Sequence, residues 1–98
     1  MKNRGLTTNW DQITRGAKEA FWSVVKDCLV QFHDLEIHAA EKKARTLRQK
    51  VEGTAEDHYL DIFYHAEPFD VACDIAEHQL DLSEYYPKYK KLLVKYNW

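Results

Sequence analysis

The stretch AKEAFWSVVKDCLVQFHDLEIHAAEKKARTLRQKVE, residues 17–52, decides the fold. It holds no glycine or proline, and Phe21, Val24, Cys28, Phe32, Leu35, Ala39, Leu47 and Val51 recur at steps of three, four or eight. Apolar residues at that spacing form one face of an α-helix. Gly53 stands where a left-handed C′ glycine would end such a helix. Read as one rod, the stretch would be about 54 Å long, whereas a compact domain of this size is only about 30 Å across. Either the rod bends near His33-Asp34 or a second copy packs along it. Leu47 and Val51 prolong the stripe where a solvated overhang would drop it, so the expectation is one long helix in a homodimer.

Upstream, Met1 to Thr7 lacks periodicity and is expected to be a flexible lead-in. Thr8-Asn9-Trp10-Asp11 has the spacing of a capping box, and Gly16 could kink the helix that it opens. Downstream, Thr54-Ala55-Glu56-Asp57 repeats that spacing ahead of the apolar run Tyr59, Leu60, Ile62, Phe63 and Tyr64, which predicts a helix of about ten residues. Glu67-Pro68 predicts a fresh helix start, with Phe69, Ala72, Cys73, Ile75 and Ala76 on its buried face. Asp81-Leu82-Ser83-Glu84 has cap spacing again, and Tyr86-Pro87 is expected to open a last helix with Tyr89, Leu92, Leu93 and Tyr96 inward. The expected fold is an all-α bundle of four or five helices, residues 1–98 forming one domain.

Composition agrees. The 98 residues are 45% apolar and 31% charged, with three glycines and two prolines, too few turn residues for an all-β sandwich or barrel. No apolar stretch approaches the ~20 residues of a membrane span, and no apolar segment follows the basic start, so a soluble, cytoplasmic protein of bacterial style is expected. Cys28 and Cys73 lie in apolar-periodic segments, which fits free, buried thiols.

Charge is segregated along the chain. Residues 1–51 hold ten Lys or Arg and six Asp or Glu; residues 52–84 hold ten acids and no Lys or Arg; residues 85–98 hold four Lys and no acid. The net charge is only −2, so the chain as a whole is not drawn to nucleic acid or anionic lipid. The acidic block either neutralises the basic segments within the fold or stays unpaired and attracts a cationic partner. The second reading makes Glu67, Asp70, Asp74, Glu77, Tyr85 and Tyr86 a candidate interaction surface, tyrosine adding large contact area with a polar tip.

Two other chemistries are open. His58, Asp61 and His65 share one helix face at i, i+3, i+7, and Asp70, Asp74 and His78 share another at i, i+4, i+8. Facing helices can hold a metal between such side chains, although no paired Glu-x-x-His or His-Glu-x-x-His motif is present. On the long helix, His33 with Glu36 and His38 with Glu41 point in different directions and form ordinary i, i+3 pairs. Lys42, Lys43, Arg45, Arg48 and Lys50 form a basic helix segment that could neutralise phosphates, but no aromatic is interleaved to read bases. Ser23 and Ser83 have no glycine-rich elbow, and Gly5, Gly16 and Gly53 lie too far apart to build a phosphate loop. The expectation is a non-enzymatic protein–protein interaction module without a cofactor. A metal-binding bundle is the first alternative and a nucleic-acid-associated protein the second.

Overall fold

The computed structural model describes residues 15–54 and 63–98. Four helices and no strand are present among them: α1 (Arg15–Phe32), α2 (Ile37–Thr54), α3 (Pro68–Ala76) and α4 (Leu82–Lys95). The lead-in at Met1 to Thr7, the capping box at Thr8, and most of the helix expected after Thr54 lie outside the described residues.

The long helix of the sequence reading is two helices, and this corrects the expectation. Asp34 adopts a left-handed φ of 60°, a conformation that Asp tolerates better than most residues. The Leu35 amide then returns to the Leu29 carbonyl at 3.0 Å, closing the end of α1. The Glu36 carboxylate accepts the amides of His38 at 3.0 Å and Ala39 at 3.2 Å, which satisfies donors that the first turn of α2 leaves open. Those amides hold the Glu36 carboxyl below its usual range. Residues 33–36 thus supply both a stop and a start.

Past this break α2 returns antiparallel along α1. Arg48, late in α2, pairs with Glu19, early in α1, at 2.8 Å. Trp22 and Lys26 of α1 line one groove with Ala44 and Glu41 of α2, again in reversed order. Leu47 packs on the core and Val51 is buried. The apolar stripe therefore finds its cover within the chain, and the homodimer loses the helix length on which it rested. Gly53 is also reassigned. It lies inside the last turn of α2 without a positive φ, so it is not a left-handed cap.

Helix α1 packs against each of the other three. Phe21, Val24, Val25, Cys28 and Leu29 are fully buried along it, joined by Ala40 and Ala44 of α2, Phe69, Ala72 and Cys73 of α3, and Tyr89 and Leu92 of α4. Aromatic rings gather at both ends of α1: Phe21 meets the rings of Trp22, Phe63, Tyr64 and Trp98 at centroid distances of 5.1 to 5.7 Å, and Phe32 meets Phe69 and Tyr85. Such edge and tilted contacts add to the area that the rings bury.

The two shorter helices start where the sequence places their caps. Pro68 opens α3 after an extended Glu67, and the Asp81 carboxylate accepts the Ser83 amide at 3.0 Å to open α4 at Leu82. That cap acts before Tyr86-Pro87, so Pro87 lies inside α4 rather than at its start. Both helices end in a Schellman arrangement. For α3, Glu77 has a φ of 54° while the Glu77 and His78 amides return to Asp74 and Cys73. For α4, Asn97 has a φ of 59° while the Asn97 and Trp98 amides return to Val94 and Leu93.

Candidate functional site

The acidic face is carried by α3 and the turns flanking it. Phe69, Val71, Ala72 and Cys73 bury one side of α3 against the core, which turns Asp70 and Asp74 outward. Glu77 sits exposed at the left-handed turn, and Glu84 is exposed in the first turn of α4. Among the described residues none of these four carboxylates forms an ion pair. The pairs that do form lie elsewhere: Arg48 with Glu19 and Glu52, Lys95 and Lys26 with Asp27, and His38 with Glu36. Among the described residues no lysine or arginine pairs with a carboxylate of α3.

Not every residue expected on this surface is available to a partner. Glu67 accepts the Tyr89 hydroxyl at 2.7 Å and is thereby committed to the fold. Tyr85 is half-buried, its ring against Phe32 and Phe69. Tyr86 is exposed at 48%, one position further round α4. The surface thus reduces to Asp70, Asp74 and Glu77 beside the acidic start of α4.

The metal reading finds less to stand on. His58 and Asp61 lie outside the described residues, and His65 is exposed in the turn before α3. His78 does not extend the Asp70–Asp74 face, because α3 ends at Ala76 and the chain reverses at Glu77. Its ring instead meets that of His33 at 6.0 Å. Among the described residues no group of three His, Cys, Asp or Glu is placed to hold a metal ion.

Of the basic residues, Lys42, Lys43, Arg45 and Lys50 are exposed on α2. Arg48 is not part of that surface. It is half-buried between Glu19 and Glu52 at 2.8 and 3.4 Å, and those partners hold its guanidinium pKa above the ordinary value. Glu52 also accepts the Tyr64 hydroxyl, which in turn accepts Trp22 Nε1 at 2.9 Å. Desolvation first, and the Glu52 hydrogen bond second, push the Tyr64 phenol up to about 12. This chain of partners locks α1, α2 and the segment before α3 together.

Both cysteines are free and buried. Burial raises the pKa of each thiol, foremost by desolvation, with the Asp27 charge adding to the rise at Cys28 and the Leu80 backbone opposing it at Cys73. They are held as thiols, the form least suited to nucleophilic attack. The Ser83 hydroxyl donates to Asp81 at 2.8 Å, within the cap of α4. Among the described residues no helix is long and apolar enough to cross a membrane. No family model, curated protein or solved structure matches this chain.

Proposed function

We propose that this chain is a non-enzymatic interaction module that engages a cationic protein through the acidic face of α3. One observation carries the reading: Asp70, Asp74, Glu77 and Glu84 are exposed and, among the described residues, without ion pairs, while the lysines and arginines that do form pairs use other carboxylates. Unscreened carboxylates of one sign steer an oppositely charged partner and speed its encounter. The short α3 is anchored by its buried side, so the face is presented with little ordering cost on binding.

The test is affinity capture from the source cells on the full chain at low salt, beside a chain carrying Asp70→Lys, Asp74→Lys and Glu77→Lys. A basic protein retained by the first, lost from the second and eluted by raised salt supports the reading. Identical capture by both chains overturns it.

A further inference from the structure

His33 and His78 come from separate elements and meet at one corner of the fold. His33 follows the last residue of α1, and His78 follows the left-handed turn that ends α3, where its amide returns to the Cys73 carbonyl at 3.1 Å. Their rings stand 6.0 Å apart at an interplanar angle of 69°. Both nitrogens of His33 are buried and, among the described residues, have no hydrogen-bond partner; no other buried side-chain nitrogen or oxygen there is left so. Buried polar atoms are nearly always paired, so an orphan of this kind points to a ligand from outside the chain.

The surroundings select the chemistry of that ligand. Helices α1 and α3 both end at this corner, and each brings the partial negative charge of its C-terminus. Asp34, Asp74 and Glu77 stand close to the pair along the chain, whereas residues 29–37 and 74–82 contain no Lys or Arg. Such a corner favours a cation. Burial foremost, then the neighbouring His78, lowers the His33 pKa and keeps its ring in the neutral form that ligates a metal. Imidazole nitrogen suits zinc, copper and nickel, while calcium and magnesium take oxygen ligands. An ion held at about 2.1 Å from one nitrogen of each ring would lie about 3.2 Å from each ring centre. The two centres would then be separated by about 5 Å at a tetrahedral angle and about 6.4 Å in line. The observed 6.0 Å falls between these limits.

We infer that His33 and His78 form a two-imidazole site for a divalent transition-metal ion, copper or zinc, with water completing the coordination shell. Among the described residues no third His, Cys, Asp or Glu joins them, so the site is an open clamp between the ends of α1 and α3 rather than a closed structural centre. His78 is exposed, so its side chain can swing aside to admit the ion. Residue spacing could not reveal this pair, because it set His33 beside Glu36 on a helix that in fact ends at Phe32. Neither histidine belongs to the acidic face of α3, so the metal site and the cationic partner stand or fall separately.

The experiment is equilibrium dialysis of the full chain against zinc chloride and against copper(II) chloride, joined to electron paramagnetic resonance of the copper form. One ion should bind per chain, with couplings from two imidazole nitrogens. The Kd should rise by at least about tenfold on His78→Ala and on His33→Leu, since losing even an outer partner of a ligand costs that much. His78→Ala should also reduce the copper spectrum to one imidazole. His38→Ala and His65→Ala, at exposed histidines elsewhere, should leave both readings unchanged. Melting curves without metal show whether each variant folds, and the exposed His78 position keeps the test open if His33→Leu does not. No saturable binding of either ion would leave a bridging water as the occupant and overturn the inference. A single imidazole in the parent spectrum, or equal binding by the His78→Ala chain, overturns it as well. So does one ion per two chains, which would assign the metal to a contact between copies.

Discussion

The Tyr89 hydroxyl donates to the Glu67 carboxylate at 2.7 Å and accepts the Phe69 amide at 3.3 Å, so a side chain of α4 caps the start of α3. Glu67, at the cap position, makes no capping hydrogen bond itself. The helix that presents the acidic face is therefore held from the side by a phenol that is almost completely buried. Desolvation, reinforced by Glu67, keeps that phenol protonated far above the ordinary tyrosine range.

It follows that Tyr89→Phe destabilises the chain out of proportion to one missing oxygen. The change strands the Phe69 amide and removes a donor from Glu67. Leaving a buried polar group unpaired costs about 1–3 kcal/mol. Glu67→Gln keeps a carbonyl oxygen to accept the phenol and should cost less than Tyr89→Phe. Urea denaturation of the two variants measures the order, and a neutral Tyr89→Phe would show that the cap contributes nothing.

Acid should loosen the corner where α1 and α3 end. Both ring nitrogens of His33 are buried without a hydrogen-bond partner among the described residues, and its ring abuts that of His78. Burial foremost, then the neighbouring His78, lowers the His33 pKa from 6.5. The folded state prefers the neutral ring, whereas the unfolded chain takes up a proton near the ordinary value. Stability is therefore full above about pH 6.5 and declines as the pH falls below it. Replacing His33 with Leu should flatten the fall in Tm between about pH 7 and pH 5. An identical slope in the variant would place the acid sensitivity elsewhere.

How far the fold was legible in the sequence depended on whether the signal was local. Glu67-Pro68 and the Asp81 cap are read within four residues and mark the starts of α3 and α4. Periodicity alone misjudged the long helix, although the sequence held the correction. The stripe ran from Ala39 to Leu47 in one step of eight, passing over Lys43, which is exposed. In the structure the α2 stripe is Ala40, Ala44, Leu47 and Val51, shifted by one position from the phase that α1 would have imposed. That phase shift is the signature of the turn at Asp34. The candidate surface was legible as a count of charges only, because nothing in residue spacing tells that Glu67 serves Tyr89 or that Arg48 serves Glu19. Those partners are brought together by the packing of α4 and α2 on α1.

Among the described residues three non-glycine positions adopt left-handed backbone: Asp34, Glu77 and Asn97 at φ of 60°, 54° and 59°. An L side chain there costs roughly 1–2 kcal/mol, less for Asn and Asp than for Glu. Glu77→Gly should accordingly raise stability by about 1 kcal/mol, net of the entropy glycine adds to the unfolded chain. Asn97→Gly should gain less. Asp34→Val should destabilise, since a β-branched residue fits this conformation worst and the turn between α1 and α2 depends on it. Thermal unfolding of the three variants tests the ranking, which would fail if Glu77→Gly were the least stable.

Charge reversal on α3 should separate binding from folding, because Asp70 and Asp74 sit at opposite ends of one helix dipole. Asp70 lies in the first turn, beside the partial positive charge of the N-terminus, and Asp74 lies in the last, beside the partial negative charge. Asp70→Lys should therefore cost a few tenths of a kcal/mol, and Asp74→Lys should gain a similar amount. The double variant stays close to the parent in stability. Both carboxylates nonetheless face outward without an ion pair among the described residues, so each substitution should weaken a cationic partner, most steeply at low salt where exposed charges are least screened. Melting curves and binding isotherms over a salt series make the comparison. Parallel losses of stability and binding would mean that the carboxylates support the helix, whereas binding loss at constant stability identifies them as the contact.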